Sequence, residues 1–420
     1  MSISSEVSRT LRAAVAGNRS VAAFYRARDY RPLWLIGGMV RPEAEQVIEL
    51  VRNSAADGLD PNRYNVDGLA EAVAAAEGRD PVALARAEAL LSDALAAYAS
   101  DLRRASSVDM HYIDRDLAPQ TLSATQVLER VASASTVREG IDSVTRMNPL
   151  YTRLRDAFAN FNGPAAQAQL VRANLERARA LPAEMGRRYV LVDAASAQLW
   201  MVEDGEVVGN MRVVVGRPGE QTPMMAGYIR HLTLNPYWNV PPDLVPRLIA
   251  PNVVRRGVAY LDQQGYEVLS DWTADAHPVD PSTIDWQAVA DGTVELRVRQ
   301  RPGPANSMGR VKFMFPNEHG VYLHDTPNRE LFQHADRRGS AGCVRVEDAD
   351  TLARWLFGAR PRPESDAPEQ NVDLPEPVPV YITYLTARPE NGRITFQNDI
   401  YGRDRQLLAS VGGATSASRR

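Results

Sequence analysis

Cysteine and lysine are each used once in 420 residues, at Cys343 and Lys312. One cysteine excludes an intramolecular disulfide framework. It leaves the redox compartment open, because a lone thiol is compatible with either environment. Arginine supplies nearly all the positive charge, and with the abundant alanine this reads as a compositional bias of the coding genome, which singles out the surviving lysine. A formal net charge of −4 lacks the basic footprint of a nucleic-acid binder, so nucleic acid is excluded as a partner. No stretch has the roughly 18 apolar residues needed to cross a bilayer. The opening "MSISSEVSRTLRAAVAGNRS" has no apolar core and no cleavage site, so it does not read as a signal peptide.

What is present divides near residue 186. A chain this long exceeds one ordinary core and implies two or three domains. From Val7 to Ala180 apolar residues recur at three-and-four spacing, most clearly in "DPVALARAEALLSDALAAYASDLR", where Asp80-Pro81 supplies a helix start. After Gly186 the period falls to two. "RYVLVDAASAQLWMVEDGEVVGNMRVVVGR" reads as three strands with a hairpin turn at Glu203-Asp204-Gly205-Glu206. Strand-like runs return in "GYIRHLTLNPYW", "TVELRVRQ", "GRVKFMFP", "GVYLH" and "VPVYITYLTA". The pattern predicts an α+β protein: an α-helical domain over 1–185 and a mostly β domain over 186–405. Residues 241–299 are expected to form an inserted, irregular cap and 406–420 a disordered tail.

The chemistry concentrates in "YLHDTPNRELFQHADRRGSAGCVRVED". A lone cysteine is most often a small core hydrophobe. Here small residues precede it, so the chain can turn tightly and aim the amides of Gly342 and Cys343 at one point as an oxyanion hole. A helix is expected to start directly after, its dipole favouring the thiolate. His324 closes a strand-like run, and a neighbouring strand could carry the turn bearing Cys343. The pair meets the needs of a nucleophile and its base. Zinc is the rival reading, with His319, His324, His334 and Cys343 as ligands, but the close ligand pair usual in structural sites is missing. His111 and His231 read as structural.

"YLHDTP", with its histidine nineteen positions before the cysteine of "SAGCVRV", resembles the signature of the L,D-transpeptidases of the YkuD family. "FYRARDYRPLW" and "DGLDPNRY" resemble the helical scaffold domain of the large YcbB-like type. "GRPGEQTP", "LNPYWNVPPDL", "PGPANSMGRVKFMFPN" and "DIYGRD" resemble parts of its catalytic domain. The resemblance implies a cofactor-free cysteine enzyme that forms 3-3 cross-links between peptidoglycan tetrapeptide stems through a thioester, releasing D-alanine. It further implies a periplasmic location in a Gram-negative cell, carbapenem inhibition and other cell-wall enzymes as partners. By position it assigns the nucleophile to Cys343, the base to His324 and the ring-orienting carbonyl to Asp325. Arg345, Ser340, Tyr237 and Trp238 become substrate-side residues. Two departures stand out: Ala341 occupies the place of a second histidine found in many relatives, and no peptidoglycan-binding module separates helices from strands. A hydrolytic carboxypeptidase or endopeptidase, or a weakly active cell-wall scaffold protein, remains open at this level.

Overall fold

A computed structural model describes residues 3–105 and 107–409. The chain divides into two compact units, one of Met1–Met110, Arg115–Met185 and Leu385–Arg420, the other of His111–Asp114 and Gly186–Tyr384.

The first unit is helical. Its central element is α1, Pro81–Leu102, started by Asp80, whose carboxylate accepts the amides of Val82 and Ala83. Leu84, Leu91, Leu95 and Tyr98 recur on its buried face and join one core with Trp34, Val47, Leu128 and Leu175. Asp57, 1% exposed, is tied to three more elements of this unit. It accepts Tyr98 Oη at 2.8 Å, Tyr151 Oη from α2 (Pro149–Ala159) at 3.0 Å and Arg155 Nε at 2.8 Å. Its carbonyl accepts Arg179 at the end of α3, Ala165–Arg179.

The β domain expected to run to 405 ends at Tyr384 instead. The chain returns to the helices because its polar groups find their partners there. Asn174 Oδ1 accepts the Thr386 amide at 2.8 Å, Arg177 pairs with Asp404 at 2.5 Å, and Ala387 enters the helical core. Residues 403–409 are helical, so the expected tail does not begin at 406. Its remainder lies outside the described residues.

The second unit is built on eight strands: β1 Arg188–Asp193, β2 Gln198–Glu203, β3 Glu206–Gly216, β4 Met224–Leu234, β5 Val311–Met314, β6 Leu323–His324, β7 Val344–Val346 and β8 Gln370–Thr383. They pair in the circuit β5-β6-β7-β3-β2-β1-β8-β4, which closes through β4–β5. Within the circuit only β6–β7 and β1–β8 are parallel, and the short strand Arg338–Ser340 adds a parallel pairing to β3. Closure leaves no free edge within the circuit. The β2–β3 turn sits at Asp204 and Gly205, both at positive φ (51° and 83°), as the twist of a two-residue hairpin demands.

The cap segment has more order than its composition suggests. Trp238–Asn239, Arg297–Gln300 and Tyr266–Leu269 form a three-stranded sheet. It covers a separate core of Val240, Leu244, Ile249, Val253, Leu261, Trp286 and Val289. Among the described residues no helix is long and apolar enough to cross a membrane.

Candidate active site

One transverse row of the β circuit gathers most of the candidate residues. Register pairs Asn371 with Thr233, Thr233 with Lys312, Lys312 with His324, His324 with Arg345, and Arg345 with Val214. Cross-strand partners share a face and alternate residues share it along a strand. Tyr322 and Cys343 therefore belong to the same face as Lys312, His324 and Arg345. The opposite face carries the fully buried Phe313, Leu323 and Val344. The motif's two halves meet because β6 and β7 lie parallel side by side. Cys343 immediately precedes β7, a diagonal step from His324.

His324 is 2% exposed, and its Nδ1 lies 2.6 Å from the Asp325 carbonyl oxygen. That bond fixes the tautomer with hydrogen on Nδ1 and leaves Nε2 as an acceptor. Burial, reinforced by the positive charge of Arg345 and Lys312, pushes the imidazole down to about 3, so it is neutral at physiological pH. The Asp325 side chain is used elsewhere. It accepts the Arg310 amide at 2.9 Å and Arg329 at 2.8 Å. Its carboxylate packs on Gly309, where a Cβ would collide with it.

The loop before β7 differs from the sequence reading. The Gly342 amide donates to Ser340 Oγ at 3.2 Å, and Ser340 Oγ donates to the Cys343 carbonyl at 2.5 Å. The Gly342 amide is therefore spent inside the turn, whereas the Cys343 amide has no acceptor among the described residues. Gly342 sits at φ +105°, a conformation L-residues rarely adopt, which explains a glycine there. The expected helix does not follow directly: α4, Ala349–Phe357, starts only after β7. Three extended residues at about 3.3 Å each move its N-terminus away from the sulfur.

Cys343 is half-buried, and its Sγ lies 3.4 Å from the Gly320 carbonyl oxygen, which it meets as a thiol donor. Burial pushes the thiol above its ordinary range, while the Tyr322 amide, Lys312 and Arg345 pull it back down. Arg345 is itself lowered by burial, and its buried Nε has no hydrogen-bond partner.

The sequence reading missed Thr222. Fully buried, its Oγ1 donates to the Gly342 carbonyl at 2.8 Å and accepts the Gly216 amide at 2.9 Å, pinning the cysteine loop to the end of β3. Its one signal was a polar residue inside "GRPGEQTP". Tyr237 donates its amide to Glu369 at 2.6 Å and lies under Arg299, 4.1 Å from ring centroid to guanidinium. Trp238 belongs to the cap sheet, its ring 6.3 Å from Tyr266. Of the zinc candidates, His319 meets His111 at 4.2 Å between ring centroids and His334 is exposed. Among the described residues no three His, Cys, Asp or Glu side chains gather to hold a metal ion.

This arrangement can be set beside known proteins. The family model described as the L,D-transpeptidase catalytic domain, YkuD, matches residues 187–380. Residues 187–380 thus match a YkuD catalytic domain. A second model, described as the Scaffold domain, matches residues 19–158. A Haemophilus influenzae protein named as a candidate L,D-transpeptidase is 29% identical over 416 residues, covering 93% of this chain and 79% of its own length. Among solved structures, an Enterococcus faecium L,D-transpeptidase cysteine-to-serine mutant is 14% identical over 47% of this chain and 50% of its own, with a TM-score of 0.24. An L,D-transpeptidase from Mycobacterium smegmatis is 13% identical over 47% of this chain and 58% of its own, with a TM-score of 0.23.

Proposed function

We propose that the chain is a cysteine L,D-transpeptidase that joins peptidoglycan tetrapeptide stems by 3-3 cross-links outside the cytoplasmic membrane. The carrying observation is the single β row that sets His324 and Arg345 in register beside Cys343, with His324 Nδ1 held by the Asp325 carbonyl.

The residues divide the reaction as follows. His324 Nε2 takes the Sγ proton, and the thiolate adds to the carbonyl carbon of the donor's third residue. The resulting oxyanion is met by the Cys343 amide, the donor left open by the loop. As the tetrahedral centre collapses, the C–N bond breaks and the terminal D-alanine leaves with the proton from His324. A thioester on Cys343 remains. The side-chain amine of a second stem then attacks it and yields a proton to His324. The C–S bond breaks, the new amide is released, and the proton returns to sulfur. Engaging His324 requires Sγ to turn from the Gly320 carbonyl, as happens when a site tightens around substrate. Ser340 and Thr222 hold the loop, and Arg345 pairs with a carboxylate of the donor stem.

The test is to incubate purified protein with disaccharide-tetrapeptide and separate products by mass. A cross-linked dimer with loss of one D-alanine is expected. Tripeptide alone would make the enzyme a hydrolase, and unchanged substrate with wild type would reject the reading.

A further inference from the structure

The neutral histidine raises a question about the thiolate. An imidazole held at about 3 accepts the Sγ proton reluctantly, and burial also disfavours the thiolate. Some standing positive charge must offset both effects. Two cations are available, and only Arg345 has so far been given a task. The other is the chain's single lysine.

Lys312 is placed by the barrel itself. β5 sets it in register between Thr233 of β4 and His324 of β6, on the face that carries Cys343. Its Nζ stands over the Tyr322 ring, 4.7 Å from the centroid, and Tyr322 is the residue whose amide acts on the sulfur. A cation over an aromatic face is attracted by the ring quadrupole, so the ammonium is held over Tyr322, from where its charge acts on the Cys343 sulfur. The side chain is half-buried, which costs a lysine much of its hydration. An arginine here would present a larger, forked group, and every other basic position in the chain is arginine.

The charges facing Cys343 complete the argument. From β5 comes Lys312, from β6 the neutral His324 and the Tyr322 hydroxyl, and from β7 Arg345. Glu369, before β8, acts on Lys312 while accepting the Tyr237 amide. Glu220, in the loop beside Gly342, is occupied by Arg217 and Arg247. The two charges that act on the sulfur, Lys312 and Arg345, are both positive, and Lys312 is the compact one.

We propose that Lys312 is a positioning residue for the transpeptidase reaction: fixed over Tyr322, its ammonium stabilises the Cys343 thiolate and draws anionic groups toward it. This rests on Cys343 being the nucleophile, but not on the identity of the substrate.

The experiment uses two alkylating reagents of equal reactivity class and different charge, neutral iodoacetamide and anionic iodoacetate, followed by intact mass on the full chain. In each, thiolate displaces iodide, forming one C–S bond and breaking one C–I bond. Wild type should alkylate once, at Cys343, with a higher iodoacetate-to-iodoacetamide rate ratio than a free cysteine peptide. Lys312→Met should raise the midpoint of the pH–rate profile by about one unit, hence slow both reagents about tenfold at pH 7, since a nearby opposite charge shifts a group by about 1–3 units. The rate ratio should fall toward that of the peptide. Lys312→Arg should keep most of the ratio. A folded Lys312→Met with wild-type midpoint and ratio overturns the proposal. So does a wild-type ratio no higher than the peptide's, a result that needs no variant. Wild type that alkylates normally but makes no cross-linked dimer would instead reject the substrate reading alone.

Discussion

Asp57 in the helical unit and the Lys312–His324–Arg345 row in the β unit are both buried arrangements of charge, built to opposite specifications. Asp57 receives two tyrosine hydroxyls and the Arg155 guanidinium, with Arg179 on its carbonyl. The Asp57 carboxylate is saturated with donors, although the buried Arg179 Nε has no hydrogen-bond partner. In the row, two cations flank a neutral imidazole, and the buried Arg345 Nε has no partner. A carboxylate surrounded by donors ties helices together, whereas on the proposed function the unpartnered Arg345 Nε is kept for a carboxylate of the donor stem. Stability is given up at such a site in exchange for binding.

Mutations can break or sharpen that contrast, and the largest effect should come from His324, the proposed base. His324→Ala should slow acylation of Cys343 by about 10²–10⁴-fold, the span typical of general base loss, as read by burst kinetics with intact mass. Next is Asp57→Ala, which leaves Arg155, Tyr98 and Tyr151 without their acceptor. It should destabilise the helical unit by about 3–5 kcal/mol in urea titrations, with the chemistry of Cys343 preserved in whatever fraction stays folded.

Acidity gives the third test. His324 is held at about 3 in the fold against its ordinary 6.5, so between these values the unfolded chain binds the extra proton. Its contribution is full above about pH 6.5 and is lost as pH falls toward about 3, on the order of 5 kcal/mol in all. Glu88 in the helical unit runs the other way. It is raised by burial to about 7 from 4.5, so its contribution is full below about 4.5 and is lost as pH rises through 7. His324→Asn should flatten the acid limb of the β unit's stability and leave the helical unit's slope alone, as followed by calorimetry at stepped pH. The smallest stability change should come from Arg345→Met. With no acid left unpaired, the unit should be unchanged or firmer by about 1 kcal/mol, while dimer formation falls at least tenfold.

Much of this was legible in the sequence, for reasons that can be localised. The change of hydrophobic period at Gly186 separates helices from strands, and Asp80-Pro81 marks the start of α1, because both signals are local. The spacing of His324 and Cys343 was visible for the same reason. What could not be read depends on distant register. The pairing of β5 with β6, which sets Lys312 beside His324, and the closure of β4 on β5, which sets it beside Thr233, are invisible to any short window. The return of Leu385 to the helices depends on Asn174 and Arg177, some two hundred residues earlier in the chain. The Gly342 amide looked free because Ser340, two residues away, also suits a strand. The short β7 looked like a helix start because "VEDAD" carries the acidic residues that open α4.

The central claim is that Cys343 is an activated nucleophile rather than a buried core thiol, and a carbapenem tests it most directly. Opening the strained lactam requires both access to the sulfur and the neighbouring base. Intact mass of the treated wild type should show one adduct, mapped to the peptide containing Cys343. Cys343→Ala should show none, and His324→Ala should gain it far more slowly while keeping its near-ultraviolet circular dichroism. A folded wild type that takes up no adduct, or equal labelling with and without His324, would contradict the account.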